Sequence, residues 1–411
     1  MMNVAFLAVV TALRFGHLLD GHGGVMNEAV VVVEGEKIKS VGHEVPKGAT
    51  VVDLTKYTAL PGLIDVHTHM TYYWDHTPGT RPWAQLGSLH DAVTVYLAQE
   101  NARKALESGV TTVRDLGSFN YLDIAMRDLI NRGAMTGPRM FVAGYGLHIS
   151  SSPSKFNSRD PNATSDFGRA DGVADVQRVA REQIAAGADW IKMYGSTGSD
   201  QDLSGFETYS FDEMKAAADV AHRAGKKIAI HSYGPDGARD AIRAGADSVE
   251  HATDMDDATI AEMAKSGTVY VPTVDHNRYY AAHKDEFGYG DEVVTKLNDY
   301  IARNAATLKR AVHAGVKIAM GSDAVFTGFG ENARELDWFV KAGMTPAAAI
   351  AAATTNGATL LGKEKELGAI APGYYADIIA VEGDPLADIS VLTKGNLPWV
   401  MKGGRVVVER K

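Results

Sequence analysis

The residues best placed to do chemistry are four histidines, an aspartate and a lysine at the ends of short apolar segments. The first segment ends in His67-Thr68-His69, and because side chains alternate along a strand, His67 and His69 point the same way and can grip one metal ion. Further along, Lys192 ends "DWIK", His231 ends "IAIH", His251 ends "SVEH" and Asp323 ends "MGSD". One histidine at a strand end is more often a hydrogen-bonded structural residue than a ligand. Four of the 14 histidines converging with a carboxylate are different, because their lone pairs need a common partner, and a metal ion supplies one.

Lys192 needs its own argument, since an ammonium beside a divalent cation is electrostatically unfavourable. Either it lies away from the site, as a surface lysine after "DWI", or it is modified. A desolvated neutral lysine can take up carbon dioxide as a carbamate, whose two oxygens could bridge two metals. Composition narrows the field further. With no cysteine in 411 residues, disulfides, thiolate-held zinc, iron–sulfur clusters and thiol nucleophiles are excluded, so histidine and carboxylate must hold any metal. Hydrophobic residues make up 45% and charged residues 22%, the balance of a globular chain with a large core. A net charge of −10, from 41 Lys+Arg against 51 Asp+Glu, argues against nucleic acid or anionic membranes as partners. No apolar run reaches the roughly 18 residues of a membrane span, so a soluble protein is expected, with cytoplasmic and periplasmic or secreted locations left open. Residues 1–12 are apolar without a basic n-region and read as a frayed leader or the remnant of a trimmed signal peptide.

These residues need elements that aim them at one point. Eight strand candidates can be counted, at residues 60–67, 109–115, 139–145, 188–194, 227–231, 246–251, 267–273 and 316–323. Several follow amphipathic helices that end in Ala-Gly or Ser-Gly, as in "IRAGADSVE", where glycine can stop a helix in the left-handed conformation. Eight strand–helix units point to an α/β fold, a (β/α)8 TIM barrel, whose active site lies at the C-terminal ends of the strands. A doubly wound sheet competes, but no GxGxxG turn follows the first strand. Helices over 332–340 and 346–361 would close the barrel. The ends differ: "AVVVVEGEKIKSVG" (29–42), "YADIIAVE" (375–382) and "WVMKGGRVVV" (399–408) read as hairpins and strands, with Gly403-Gly404 as a turn. We therefore expect residues 1–59 and 365–411 to build a small β-sandwich domain together, and residues 60–364 to form the barrel.

The motifs LPGLIDVHTHM (60–70), WIKMYG (190–195), IAIHSYG (228–234), SVEHAT (248–253) and MGSDA (320–324), with the tail GMTPAAAIAAATTNGATLLG and GAIAPGYYADIIAVEGDP, resemble the strand-end motifs and C-terminal segments of the amidohydrolase superfamily, in its order. The resemblance covers nearly the whole chain. Within the superfamily it is nearest the metal-dependent Xaa-Pro dipeptidases and carboxypeptidases, the branch that includes ochratoxin-hydrolysing amidohydrolases. It implies that His67, His69 and Asp323 bind a buried divalent ion, expected to be zinc, and that His231 and His251 bind a more exposed one. N6-carboxylated Lys192 would bridge the two. Two such metals lower the pKa of a shared water and polarise an amide carbonyl, and Asp323 is suited to move the proton to the leaving nitrogen. The catalytic set would then be Asp323, His251 and Lys192. The resemblance also implies a homo-oligomer, up to an octamer.

For the substrate, a small amide or dipeptide with a carboxylate, three contacts are candidates. Tyr233, two residues past His231, would orient the substrate; packing on a loop is its plain alternative. His148, after the third strand, could donate to the oxyanion or to the carboxylate, or be structural. Arg278 in "VDHNRYY" could hold the carboxylate by a two-pronged contact. The polar stretch 149–172 is expected to form a long loop over the site. It contains two decoys: Ser152-Pro153-Ser154-Lys155, an S-x-x-K that follows no helix start, and the Asn162-Ala163-Thr164 sequon. The expected activity is hydrolysis of peptide-like amides such as N-acyl amino acids, dipeptides or ochratoxin A (to ochratoxin alpha and phenylalanine). A mononuclear cyclic-amide hydrolase or deaminase is the alternative within the superfamily, disfavoured because Gly234 stands where its deaminases tend to carry glutamate. A scaffold without catalysis is the third, disfavoured because no ligand is missing.

Overall fold

A computed structural model describes residues 10–150 and 168–410. Residues 1–9 of the expected leader, both decoy motifs and most of the expected loop lie outside the described residues. The strands are β1 (Val10–Leu19), β2 (Val25–Glu34), β3 (Lys37–Gly42), β4 (Thr50–Pro61), β5 (Leu63–Thr68), β6 (Val110–Asp115), β7 (Arg139–Val142), β8 (Trp190–Tyr194), β9 (Lys227–Ser232), β10 (Ser248–His251), β11 (Val269–Val271), β12 (Ile378–Val381), β13 (Trp399–Lys402) and β14 (Arg405–Glu409).

Both chain ends meet in one seven-stranded sheet of order β14-β13-β12-β4-β1-β2-β3. The expected turn at Gly403-Gly404 is present: Lys402 pairs with Arg405, and both glycines have positive φ, as a two-residue hairpin demands. The expected two-layer sandwich is corrected to a single rolled sheet. The reason lies in β4, which is long enough to pair in parallel with β1 and antiparallel with β12, so the two halves are continuous rather than facing. A flat sheet would hold β1 and β13 about 14 Å apart. Here the Phe15 and Trp399 rings on those strands meet edge to face at 6.3 Å, so the sheet curls around a core that also contains Leu13, Val31, Leu54 and Ile378. The curl brings edge strand β3 back to the second half, where Ile38 N donates to Tyr374 O at 2.9 Å.

The middle of the chain alternates parallel strands with helices. β5-β6-β7 form one sheet and β8-β9-β10-β11 another. Their strands are buried on both faces, which explains why they read as apolar runs rather than alternating ones. Hydrogen bonds continue past the sheet edges. Leu147, just beyond β7, pairs in parallel with Met193 of β8. On the other side Ile318 pairs with Tyr270 of β11, while Val66 N of β5 donates to Met320 O at 2.8 Å and Asp323 N donates to His67 O at 2.7 Å. The pairing order therefore returns to its start. The eighth expected strand is corrected in one respect: residues 316–323 are held by isolated bridges, not a continuous ladder, and Asp323 leaves the extended conformation at φ 52°. The expected terminal helices are shorter too, as Glu335–Lys341, Pro346–Ala352 and Thr355–Leu360, the last two separated by a kink at Thr354.

The intervening helices, such as Phe211–Arg223 and Pro235–Ala244, stop and start on local signals. Ser210 and Glu213 form a capping box, and Gly245 ends its helix at φ 91°. Their apolar faces join a common core with β5, β6 and β8 through Leu63, Val113 and Ile191.

Candidate active site

The six residues picked out as metal ligands all line one cavity of ≈ 240 Å³ at the C-terminal ends of the strands. Each is buried, with His67 and Lys192 at 1% exposure. His67 and His69 come from the end of β5. Their Nδ1 atoms are engaged, His67 with Glu250 Oε2 at 2.8 Å and His69 with the Gly117 carbonyl at 2.9 Å. Acceptors there place the ring proton on Nδ1 and leave the Nε2 lone pair for a ligand. Both Nε2 atoms face Asp323 Oδ1, at 3.5 and 3.2 Å. Ligand atoms of His67, His69 and Asp323 lie within 4.8 Å of one another, close enough to share one ion.

His251 and Asp323 reach the site through unusual backbone. In a regular strand Glu250 and His251 would point to opposite faces. At φ 67° His251 leaves that alternation, and its Nδ1 meets Thr273 Oγ1 at 2.6 Å, Thr273 itself being at φ 47°. Positive φ in three non-glycine residues around one cavity is local strain of the kind found at functional sites. His231 sits at the end of β9, with its ring 4.6 Å from that of His251, and its buried Nε2 has no hydrogen-bond partner. A buried, unsatisfied ring nitrogen facing other imidazoles fits a bound cation, which would satisfy it.

Electrostatics favour ligand-competent forms. Burial, with Lys192 nearby, drives the His231 imidazole well below its ordinary range, and burial with neighbouring His231 does the same for His251. Burial likewise brings His67 down to about 4, so these rings are neutral near pH 7. Burial would raise Asp323, but His276, His67 and His69 outweigh it and keep the group a carboxylate. Burial, helped by Arg114 and opposed by Glu250 and Asp323, pushes the Lys192 ammonium down to about 8. A neutral amine, the form that reacts with carbon dioxide, is therefore accessible.

Sequence reasoning passed over three residues here. His276, on the helix Val274–Ala282, places Nε2 3.1 Å from Asp323 Oδ2. Glu250 and Arg114, both fully buried, form an ion pair at 2.9 Å behind His67. Arg114 also donates to Val66 O at 2.5 Å and to Ser248 Oγ at 2.9 Å. The signal was a charged residue inside each apolar strand, in "TTVRD" and "SVEH".

The three substrate candidates separate. Tyr233 lines the cavity, stacked on His231 at 5.0 Å and on Tyr300 at 4.7 Å. His148 also lines it, with Nδ1 3.2 Å from Gly146 O. Arg278 does not line this cavity. Its guanidinium turns to Asp275 at 2.7 Å and Glu331 at 2.5 Å, because two carboxylates outside the cavity already satisfy its fork.

Comparison with known proteins agrees with this geometry. The amidohydrolase family profile matches residues 58–407. The chain is 31% identical to the ochratoxinase of Aspergillus niger, covering 97% of this chain and 87% of that one. A solved Xaa-Pro dipeptidase with methionine bound in its active site superposes with a TM-score of 0.86 at 31% identity, covering 97% of this chain and 99% of the other. A prolidase complexed with N-methylphosphonate-L-proline gives 0.87 at 27% identity, over 98% and 100% of the two chains. The chain belongs to the amidohydrolase family, whose members here are hydrolases of amide bonds.

Proposed function

We propose that this protein is a binuclear, metal-dependent amidohydrolase that cleaves peptide-like amides of the dipeptidase or carboxypeptidase type, including N-acyl amino acids. By likeness to the A. niger enzyme, ochratoxin A joins the candidate substrates. The observation that carries this reading is the convergence of His67, His69, Lys192, His231, His251 and Asp323 on one cavity, with a buried His231 nitrogen lacking a partner. The pairing order that returns from residues 316–320 to β5 is read as a (β/α)8 barrel, spanning residues 60–364 between the two halves of the end domain.

His67, His69 and Asp323 would hold one divalent ion, His231 and His251 the other, and Lys192, carboxylated on Nζ, would link them. Such ions, zinc being suited to nitrogen and oxygen ligands, supply an activated water and polarise the amide carbonyl. The protein's own groups do the rest. Asp323 accepts a proton from the attacking water on a carboxylate oxygen and passes it to the departing nitrogen, while His276, 3.1 Å away, steadies the second oxygen. His148 and Tyr233 are the cavity's polar candidates for the substrate carboxylate and carbonyl oxygen. The Glu250–Arg114 pair holds the His67 ring in its ligand tautomer.

A one-metal reading has its own support, because among the described residues only His67, His69 and Asp323 gather as a ready ligand group within 4.8 Å. Metal content separates the two, at two ions per chain or one. The activity test is a screen over N-acyl amino acids, Xaa-Pro and other dipeptides, and ochratoxin A. Hydrolysis confined to cyclic amides or aminated bases would overturn the proposed substrate class.

A further inference from the structure

The helix Val274–Ala282 starts in an unusual way. Its N-cap is Thr273, a residue type whose hydroxyl ordinarily accepts from the N–H of the second or third helical residue. Here the side chain makes no capping bond. The Thr273 backbone is left-handed, at φ 47° and ψ 44°, instead of extended, and a β-branched residue adopts that conformation only under constraint. So turned, the buried hydroxyl places Oγ1 2.6 Å from His251 Nδ1. Thr273 gives up a cap and takes on backbone strain to reach one imidazole.

The vacated capping role is taken by a residue of another helix. Asp275 N, the second helical donor, donates to Glu335 Oε1 at 2.5 Å, and Glu335 is fully buried at the start of the helix Glu335–Lys341. His276 N, the third donor, turns to the Thr273 carbonyl at 3.3 Å. Because these donors are satisfied without it, the Thr273 side chain can serve His251 at little cost to the helix. The His251 backbone is tied separately, by the Tyr270 hydroxyl donating to its carbonyl at 2.9 Å. Thr273 thus acts on the ring, which lies 4.6 Å from that of His231 on the cavity wall.

We infer that Thr273 is a positioning residue for the ion assigned to His231 and His251: its hydroxyl oxygen holds the His251 ring with the proton on Nδ1 and Nε2 open, while Glu335 caps the helix in its place. The inference rests on the two-ion reading and deepens it. It makes one hydroxyl responsible for the affinity of that ion and not of the ion at His67, His69 and Asp323.

The first readout needs no metal. Imidazole NMR of chelated protein with isotope-labelled histidine, the His251 signals being those lost in His251→Gln, should show the ring proton on Nδ1. Thr273→Ser should keep it there, and Thr273→Val should shift it toward Nε2. A wild-type ring protonated on Nε2, or one unaffected by Thr273→Val, overturns the inference. The second readout is calorimetric titration with zinc. Thr273→Val should weaken the binding event that His231→Gln abolishes by about 10–100-fold and leave the other event unchanged. Thr273→Ser should restore it. Equal weakening of both events, as a general loss of structure would give, or weakening of neither, overturns the inference. Glu335→Leu should weaken the same event, because the hydroxyl then turns back to cap the helix, and Glu335→Gln, which keeps an accepting oxygen, should not. Full retention of that event in Glu335→Leu overturns the exchange of caps. If Thr273→Val does not fold, Thr273→Ala carries the same comparison. If the wild-type protein takes up one ion only, the two-ion reading fails instead, and the His251 ring proton still decides the role of Thr273.

Discussion

Replacing Glu250 with glutamine tests how the site is held from behind. Burial would raise this carboxyl, but Arg114 and His67 outweigh burial and bring it to about 2 from 4.5 for a free glutamate. That difference corresponds to about 3 kcal/mol of stability. Because the folded value lies below the unfolded one, the stabilisation is complete above about pH 4.5 and is lost as the pH falls toward 2. Leaving Arg114 buried without its partner carries a similar cost, about 3–5 kcal/mol. Urea unfolding in the presence of chelator should show Glu250→Gln less stable by about 3 kcal/mol at pH 7, with the deficit constant down to about pH 5 and narrowing below that. Adding Arg114→Met should recover part of the loss, because no unpaired charge then remains. The variant should also bind zinc about 10–100-fold more weakly. A glutamine can turn its amide NH2 toward His67 Nδ1, moving the ring proton to Nε2, the atom that must stay open for metal. A Glu250→Gln protein within 1 kcal/mol of wild type at pH 7, on the scale of an ordinary surface change, would show that the buried pair does not hold the site.

Three further outcomes follow from the geometry. Asp323→Asn should lower kcat by about 100-fold or more at saturating zinc with far-UV circular dichroism unchanged, and a near-wild-type rate would remove Asp323 from proton transfer. Lys192→Ala should hold fewer than two metals per chain and lose activity, whereas full activity with two metals would sink the carbamate bridge. Arg278→Ala should cost about 1 kcal/mol or less, since its ion pairs are partly solvated, and should leave KM for carboxylate substrates nearly unchanged. A large rise in KM would restore Arg278 as the carboxylate ligand.

Much of the site could be read from strand periodicity. His67, His69, Lys192, His231, His251 and Asp323 each end an apolar run, and parallel strands bring such ends to one mouth. The residues that were missed are the ones periodicity hides. Glu250 lies one position before His251, and only the left-handed backbone at His251 lets the pair both serve the site. His276 starts in a helix, where no strand rule applies, and Arg278 two residues later was the more conspicuous candidate because guanidinium suits carboxylate. Its true partners, Asp275 and Glu331, are respectively local and 53 positions away, a pairing that spacing could not reveal. At the chain ends the hairpins were recoverable from Gly403-Gly404 and the β-branched runs. The rolled single sheet was not, because it depends on β4 pairing on both edges with strands from opposite ends of the sequence.

In the proposed function, His67, His69, Lys192, His231, His251 and Asp323 hold two ions that enable amide hydrolysis. The most direct measurement titrates chelated protein with zinc while following release of the amino acid from an N-acyl amino acid or dipeptide. A two-ion site gives no hydrolysis without metal and a rate that rises to saturation at two equivalents per chain. Saturation at one equivalent, or hydrolysis that survives chelation, would contradict it.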